Sequence, residues 1–381
     1  MADRWTATPR RTATSNRCCR ACTSGPGMMA IEAARALPAS RRPTVFIVRD
    51  HTMEELLDRL AAQLRGRGIE VARGPANTPG VVVPTPAGVG LEHADIAVFS
   101  SRWQCNRQTL AQAVRLRAVV NATIGLETVD LQAAADLGII VGHGGAPEHI
   151  TSMAEASIML MLNLLYGLRR SESWMSGWRP RPYDGKAHAS MMCGATIGLV
   201  GLGRIGRAVM ERLQAFGARI VAYSPRADRS QIPDGVRLTD LDTVMRESDL
   251  VGVFVAVRPD NRGLIGARQI ALMKPTAYLV NVARGDALDE EALARALRAG
   301  EIAGAALDTF AVEPLPQDSP LRGLPNVILT PHVVGHTRQS MDSVLRVAVD
   351  NITSVLRGDL PTVCKNPEIE PAWRGRLAAL A

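Results

Sequence analysis

The chain has 381 residues, a formal charge of +7, 46% apolar and only 4% aromatic residues, the profile of a globular protein of two or three domains' length with enough chain to bury a substantial core. No window approaches the roughly 20 apolar residues of a membrane span, because the longest candidate, Ala156 to Leu168, is shorter and contains Asn163 and Gly167; no membrane partner is expected. Eight arginines against Asp3 and Glu32 place +6 of the charge in residues 1–42, so the remainder is close to neutral and nucleic acid, which needs a broad positive surface, is not an expected partner.

Residues 1–42, rich in Arg, Ser, Thr and Ala, read as a disordered basic tail without the apolar core of a secretory signal; a transit peptide, or a true start at Met28 or Met29, are alternatives. Cys18, Cys19 and Cys22 lie in this tail. The Cys19–Cys22 pair lacks the second ligand pair of a zinc site, so no metal is expected. Cys105, Cys193 and Cys364 are scattered, as in a reducing compartment, and a cytoplasmic location is expected.

From Thr44 short β-branched runs alternate with amphipathic stretches, the pattern of a parallel sheet covered by helices. Strands are expected at Thr44 to Val48, Ile96 to Phe99, Ala118 to Asn121 and Ile139 to Val141, with helices over Met53 to Leu64 and Arg107 to Leu116. The apolar stretch Ser152 to Leu168 reads as a buried linking helix, and Arg169 to Met192, with Trp174, Trp178, Pro180, Pro182 and Gly185, as an irregular arm. A second α/β unit follows: strands at Thr196 to Val200, Arg219 to Tyr223, Leu250 to Val255, Ala277 to Val280, Gly304 to Leu307 and Val327 to Leu329, with helices over Arg204 to Gln214 and Glu290 to Ala299. A last helix is expected over Arg338 to Leu356.

The sharpest motif is GLGRIG, with Gly201, Gly203 and Gly206 directly after an apolar strand and Arg204 and Ile205 opening a helix. This is the dinucleotide fingerprint in its required context: the glycines allow a tight turn and close approach to a pyrophosphate, and the helix N-terminus favours its charge. The residue after the second strand chooses between cofactors, because a carboxylate there binds the ribose of NAD and repels the 2′-phosphate of NADP. Here it is Ser224, followed by Arg226 and Arg229, and the expectation leans to NADP(H), although a solvated loop would carry such arginines too. Three further segments each follow a strand of the same sheet: NVARG at 281–285, ALDTFAVEP at 306–314 and TPHVVGHT at 330–337. Strand ends of a doubly wound sheet face one crevice, so Arg284, Glu313 and His332 can converge as an acid–base site.

This series resembles the D-isomer-specific 2-hydroxyacid dehydrogenase family, over about residues 44–370. The resemblance implies an α/β fold of two doubly wound parallel-sheet domains, a Rossmann cofactor domain (149–337, including a linking and dimerisation arm at 152–192) inserted into a discontinuous flavodoxin-like substrate domain (43–148 and 338–381), and a homodimer. It implies a hydride transfer between NAD(P)H and a small 2-oxo or D-2-hydroxy acid, as in glyoxylate/hydroxypyruvate reductases, with Arg284, Glu313 and His332 catalytic. Val282 and Asp308 join the cofactor contacts, while Arg102, Ile124 and Gly125 join Arg284 as substrate contacts. The chain departs from the family pattern at Thr123 and Glu127, which replace the first glycine and the aspartate of a GxGxDN loop, at His149, commonly asparagine, and at Phe254 and Ala256, which replace His-x-Pro. Arg102 stands where phosphoglycerate enzymes use paired arginines, but its neighbour is Ser100, so D-3-phosphoglycerate dehydrogenase is the second reading. A non-catalytic dinucleotide-sensing scaffold, like the C-terminal-binding corepressors, is the alternative from another class.

Overall fold

Strand burial separates the chain into two parallel sheets. The computed structural model describes residues 41–77, 83–84, 88–178 and 188–380; residues 1–40 of the basic tail, with Cys18, Cys19, Cys22, Met28 and Met29, and Pro180, Pro182 and Gly185 of the arm lie outside the described residues. Strands β1 (Thr44–Ile47), β2 (Glu70–Arg73), β4 (Ile96–Phe99), β6 (Ala118–Asn121) and β7 (Ile140–His143) pair in the order β2-β1-β4-β6-β7, all parallel. This is the flavodoxin order. A separate two-residue ribbon joins β3 (Val83–Pro84) and β5 (Trp103–Gln104).

Every residue of β4 and β6 is buried, which is why they read as continuous apolar runs rather than alternating ones. Helix α1 (Glu54–Arg65) lays Leu56, Leu57, Leu60, Ala61 and Leu64 on this sheet, at the three- and four-residue spacing of one helix face. Short helices α2 (Arg107–Gln112) and α3 (Leu131–Asp136) start at Asn106 and Asp130, whose side chains accept from the Thr109 and Ala133 N–H groups, ordinary N-caps.

The second sheet runs β10 (Val236–Leu238), β9 (Arg219–Tyr223), β8 (Thr196–Val200), β11 (Leu250–Val253), β12 (Tyr278–Asn281), β13 (Gly304–Leu307), β14 (Val327–Leu329), again wholly parallel. That is the dinucleotide-binding order with one further strand. Helices α6 (Arg204–Ala215), α7 (Leu241–Glu247), α8 (Ala267–Ile270) and α9 (Glu290–Ala299) connect its strands. Between the sheets in sequence lie α4 (Pro147–Tyr166) and α5 (Leu168–Ser176). After β14, α10 (Arg338–Arg357) returns to the first sheet: Val344, Leu345, Ala348, Val349, Ile352 and Val355 share a core with Val45, Ile47, Ile96 and Val120. Trp373, on α11 (Glu370–Leu380), is fully buried there and donates its indole N–H to the Arg117 carbonyl at 2.9 Å. The fold is therefore α/β, with two doubly wound parallel-sheet domains, the Rossmann-type one entered and left through segments of the other.

Some local expectations shift. The linking helix starts earlier, at Pro147, where proline's fixed φ suits the first helical position, and Gly167 at φ +61 ends it. The chain then continues as α5 after a 58° bend rather than as irregular arm. Helix α2 stops at Gln112, short of Leu116. Strand β2 gives no clear sequence signal because its four residues, EVAR, are half charged, as an edge strand permits. Among the described residues no single helix is long and apolar enough to cross a membrane.

Candidate active site

Two asparagines shape the loops that carry the candidate residues. At the end of β12, Asn281 accepts from the Ala283 N–H at 3.0 Å and donates to the Arg284 carbonyl at 2.9 Å. At the end of β6, Asn121 accepts from the Thr123 N–H at 3.3 Å and donates to the Gly125 carbonyl. Each buried side chain satisfies loop backbone groups that no strand partner reaches. The two loops meet: a Cβ on Gly125 would come within 2.5 Å of Glu127 Oε2 and 2.6 Å of Arg284 Nη2, so a side chain there would push both flexible ends aside. Ile124 is half-buried beside it. Glu127 binds the same arginine, Arg284 Nε donating to its Oε1 at 2.9 Å, while Arg284 Nη1 donates to the Ala283 carbonyl at 2.7 Å.

His332 faces Glu313, with Nδ1 2.9 and 3.0 Å from the two carboxylate oxygens. Glu313 Oε1 also accepts from the Phe310 N–H at 3.1 Å, and Oε2 from Arg102 Nη2 at 3.3 Å. His332 has φ +57, a left-handed conformation uncommon for a non-glycine residue. Asp308 over-determines it: its Oδ1 accepts from Thr330 Oγ1 at 2.7 Å, Val333 N at 3.0 Å and Val334 N at 3.2 Å, gripping the loop on both sides of the histidine. The Asp308 carboxylate thus braces the His332 loop.

Burial works to raise the Glu313 carboxyl, but the His332 hydrogen bond and charge, the Phe310 N–H and Arg102 outweigh it and hold it below the usual carboxylate range. Asp308 goes the other way, burial winning over its hydrogen bonds. His149 hydrogen-bonds Ser340 Oγ at 2.8 Å; burial, then the fields of His336, His332 and Arg284, push it down to about 4. Burial and the neighbouring His332 also lower His336. A histidine lowered on folding binds its proton more readily in the unfolded chain, so the stability it allows is whole above about pH 6.5 and is lost as pH falls toward 4. His149 is expected to cost about 3 kcal/mol across that window, and His149→Gln to flatten the urea-unfolding free energy there. An unchanged slope in the variant would refute the assignment.

The glycine motif forms an open cradle. Gly201 has φ +102, and a Cβ on it would press on the Phe254–Val255 backbone at 2.8–2.9 Å. A Cβ on Gly206 would overlap the Gly201 carbonyl, whereas one on Gly203, the residue capping α6, would meet nothing within 4 Å. Free space over the first turn of a helix whose backbone lies this close to its strand fits a dinucleotide pyrophosphate. Ser224 Oγ accepts from the Leu202 N–H at 3.3 Å, tying the loop to the end of β9, and Arg226 is exposed with no carboxylate partner among the described residues. Ile205 is half-buried and Val282 is buried beneath the cleft. The Arg204 side chain turns away to donate to the Gly145 carbonyl at 3.1 Å.

The structure therefore forms two groups, Arg284 with Gly125 and Glu127, and Glu313 with His332 and Arg102, joined where Gly285, next to Arg284, packs on the Phe310–Ala311 backbone, whose Phe310 N–H donates to Glu313. Sequence reading passed over Asp50, which lies 3.8 Å from Arg102, and gave no role to Asn281 or His336 although both sit inside the singled-out segments. An asparagine directly after an apolar strand is a signal for such a loop; Asp50 carries none.

Residues 158–334 match the D-isomer specific 2-hydroxyacid dehydrogenase, NAD binding domain family. The chain is 35% identical over 271 residues to a glyoxylate reductase of Thermofilum pendens, covering 69% of this chain and 78% of that protein. It is 35% identical over 292 residues to a D-3-phosphoglycerate dehydrogenase of Methanocaldococcus jannaschii, covering 75% of this chain but only 55% of that longer protein. Among solved structures it is similar to an NADPH-dependent glyoxylate/hydroxypyruvate reductase of Sinorhizobium meliloti in complex with citrate, with a TM-score of 0.71, 27% identity and coverage of 85% and 97% of the two chains.

Proposed function

The chain belongs to the D-isomer-specific 2-hydroxyacid dehydrogenase family, NAD(P)-dependent oxidoreductases acting on CH–OH donors, and we propose that this member reduces a small unphosphorylated 2-oxo acid of the glyoxylate or hydroxypyruvate type, with NADPH favoured over NADH. The observation that carries the reading is the Glu313–His332 pair joined to the Arg284 loop through Gly285, which packs on the Phe310–Ala311 backbone, on the sheet that also forms the glycine cradle. In it Gly201, Gly203, Gly206 and the first turn of α6 hold the pyrophosphate. Val282 and Asp308 back the cofactor site from beneath, and Ser224 and Arg226 face the ribose. A bound nicotinamide supplies the hydride.

His332 holds the proton. Its Nδ1 is committed to Glu313, leaving Nε2 to protonate the substrate oxygen. Glu313 fixes the ring, both of its carboxylate oxygens lying within 3.0 Å of Nδ1. Arg284 grips the substrate carboxylate and polarises the carbonyl, for which a planar multi-donor cation suits, and the Ile124–Gly125 backbone receives the same carboxylate. Arg102 is already engaged by Asp50 and Glu313, which favours a substrate without phosphate over 3-phosphohydroxypyruvate. The scaffold reading has no observation of its own.

NADPH preference is supported by the absence of a carboxylate at Ser224 and by the exposed Arg226. Nicotinamide absorbance with glyoxylate, hydroxypyruvate, pyruvate and 3-phosphohydroxypyruvate, each against NADPH and NADH, tests both statements. Ser224→Asp is expected to move the ratio toward NADH by about tenfold, some 1.4 kcal/mol of repulsion; tighter NADH than NADPH binding in the unaltered protein would sink the cofactor reading, and no turnover with any pair would sink the substrate reading. A cytoplasmic homodimer paired through the arm is part of the same proposal, supported by Met159, Tyr166, Leu168 and Met175 exposed along α4 and α5. A monomeric mass in light scattering would exclude that pairing.

A further inference from the structure

The Arg102 guanidinium is held between two carboxylates from different sheets. Nη2 lies 3.3 Å from Glu313 Oε2 and Nη1 3.8 Å from Asp50 Oδ2. Asp50 follows β1 and is completely buried. Its Oδ1 accepts from the Thr52 N–H at 3.0 Å and the Thr52 hydroxyl at 2.8 Å, but its Oδ2 has no hydrogen-bond partner, and Arg102 is its ion-pair partner among the described residues. A buried carboxylate oxygen without a hydrogen bond is poor stability design, since an apolar residue of similar volume would cost less. Its orientation toward Arg102 points to another purpose.

We propose that Asp50 and Arg102 are positioning residues for the acid–base pair: Asp50 aims the guanidinium, and the guanidinium fixes Glu313 and offsets its charge, so that the carboxylate stays ionised and the ring it holds stays aligned. The proposal rests on the reading of Glu313 and His332 as that pair. Its distinguishing content is that Arg102 acts through Glu313 and not by touching substrate. Other groups face the pair as well. His336 and Asp308 come from the loops around His332, His149 from α4 and Arg284 from beyond β12. Glu290, at the start of α9, accepts from the Ala311 N–H at 2.6 Å and lies within the field of Glu313. These are unchanged by a substitution at Arg102, which alone removes a cation in direct contact with Glu313. Because that cation lowers the Glu313 carboxyl, its loss makes Glu313 protonate at higher pH, and the acid limb of kcat moves upward.

The test compares Arg102→Met, Arg102→Lys, Asp50→Asn and the Asp50→Asn/Arg102→Met double variant of the full chain, using the 2-oxo acid that the unaltered protein turns over best. Arg102→Met is expected to lower kcat roughly ten- to hundredfold with KM unchanged, and to move the acid limb upward, while Arg102→Lys recovers part of the loss. Asp50→Asn keeps the Thr52 hydrogen bonds, so it should fold, lower kcat, and add nothing further in the double variant. A rise in KM with kcat intact would make Arg102 a substrate contact and overturn the proposal, as would additive losses. If the unaltered protein reduces none of the acids, the functional reading fails by itself. The acid inflection of the His332 ring signals in NMR, assigned through His332→Asn, then decides: an upward move in Arg102→Met upholds the positioning role, and an unmoved inflection removes it.

Discussion

Replacing His332 by asparagine is expected to lower kcat for 2-oxo acid reduction by about 10²–10⁴-fold, the usual contribution of a positioned acid–base group, while cofactor affinity stays within about twofold. Asparagine is chosen because the backbone at this position is left-handed, φ +57, a region asparagine tolerates better than most residues. The Asp308 bonds to Thr330, Val333 and Val334 do not involve the imidazole, so the loop keeps its brace and the variant removes chemistry without removing structure. Measuring kcat alongside NADPH binding by fluorescence separates the two. Activity within a few-fold of the unaltered protein would show that His332 is a capped loop histidine, and the acid–base assignment would fall with it.

Much of the fold was legible because its signals are local. The strand–glycine–helix junction at 196–215 needs only a few consecutive residues, and β4, β6, β11 and β13 announce themselves as short apolar runs because helices cover both faces of their sheets. The extent of the linking helix was less legible: apolar content ran past Tyr166, but a single left-handed glycine, Gly167, set the break. Convergence of the site was half legible. Arg284, Glu313 and His332 each follow a strand of one sheet, so topology predicts their meeting. Asp50 and Glu127 come from the other sheet, and nothing in either sequence neighbourhood shows that Asp50 would meet Arg102 or Glu127 would meet Arg284; those pairs exist only because two sheets place their strand ends against one crevice. The pairing of Arg102 with Glu313 was illegible for the same reason, since the two are 211 positions apart.

Arg284→Ala is expected to reduce kcat/KM by about 10²–10³-fold, some 3–4 kcal/mol of lost transition-state stabilisation, because in the proposed function Arg284 serves both substrate carboxylate and carbonyl. Without substrate, its guanidinium pairs with Glu127 at 2.9 Å, where the family pattern has an aspartate, one methylene shorter. An anionic substrate must therefore compete with a carboxylate of the chain itself. The side chains are 34% and 43% exposed, so solvent screens the pair and it is worth about 0.2–1 kcal/mol. That magnitude decides the asymmetry of the two variants: Glu127→Gln should lower KM by only about 1.5- to fivefold with kcat little changed, whereas Arg284→Ala should cripple both. In the Arg284→Ala background the Glu127→Gln benefit should vanish, since there is no longer a guanidinium to contest, and a steady-state cycle over the four proteins reads this directly. If Glu127→Gln instead raised KM, the carboxylate would be orienting Arg284 for the substrate rather than competing with it, and the departure from the family pattern would have to be read as a reshaped binding loop.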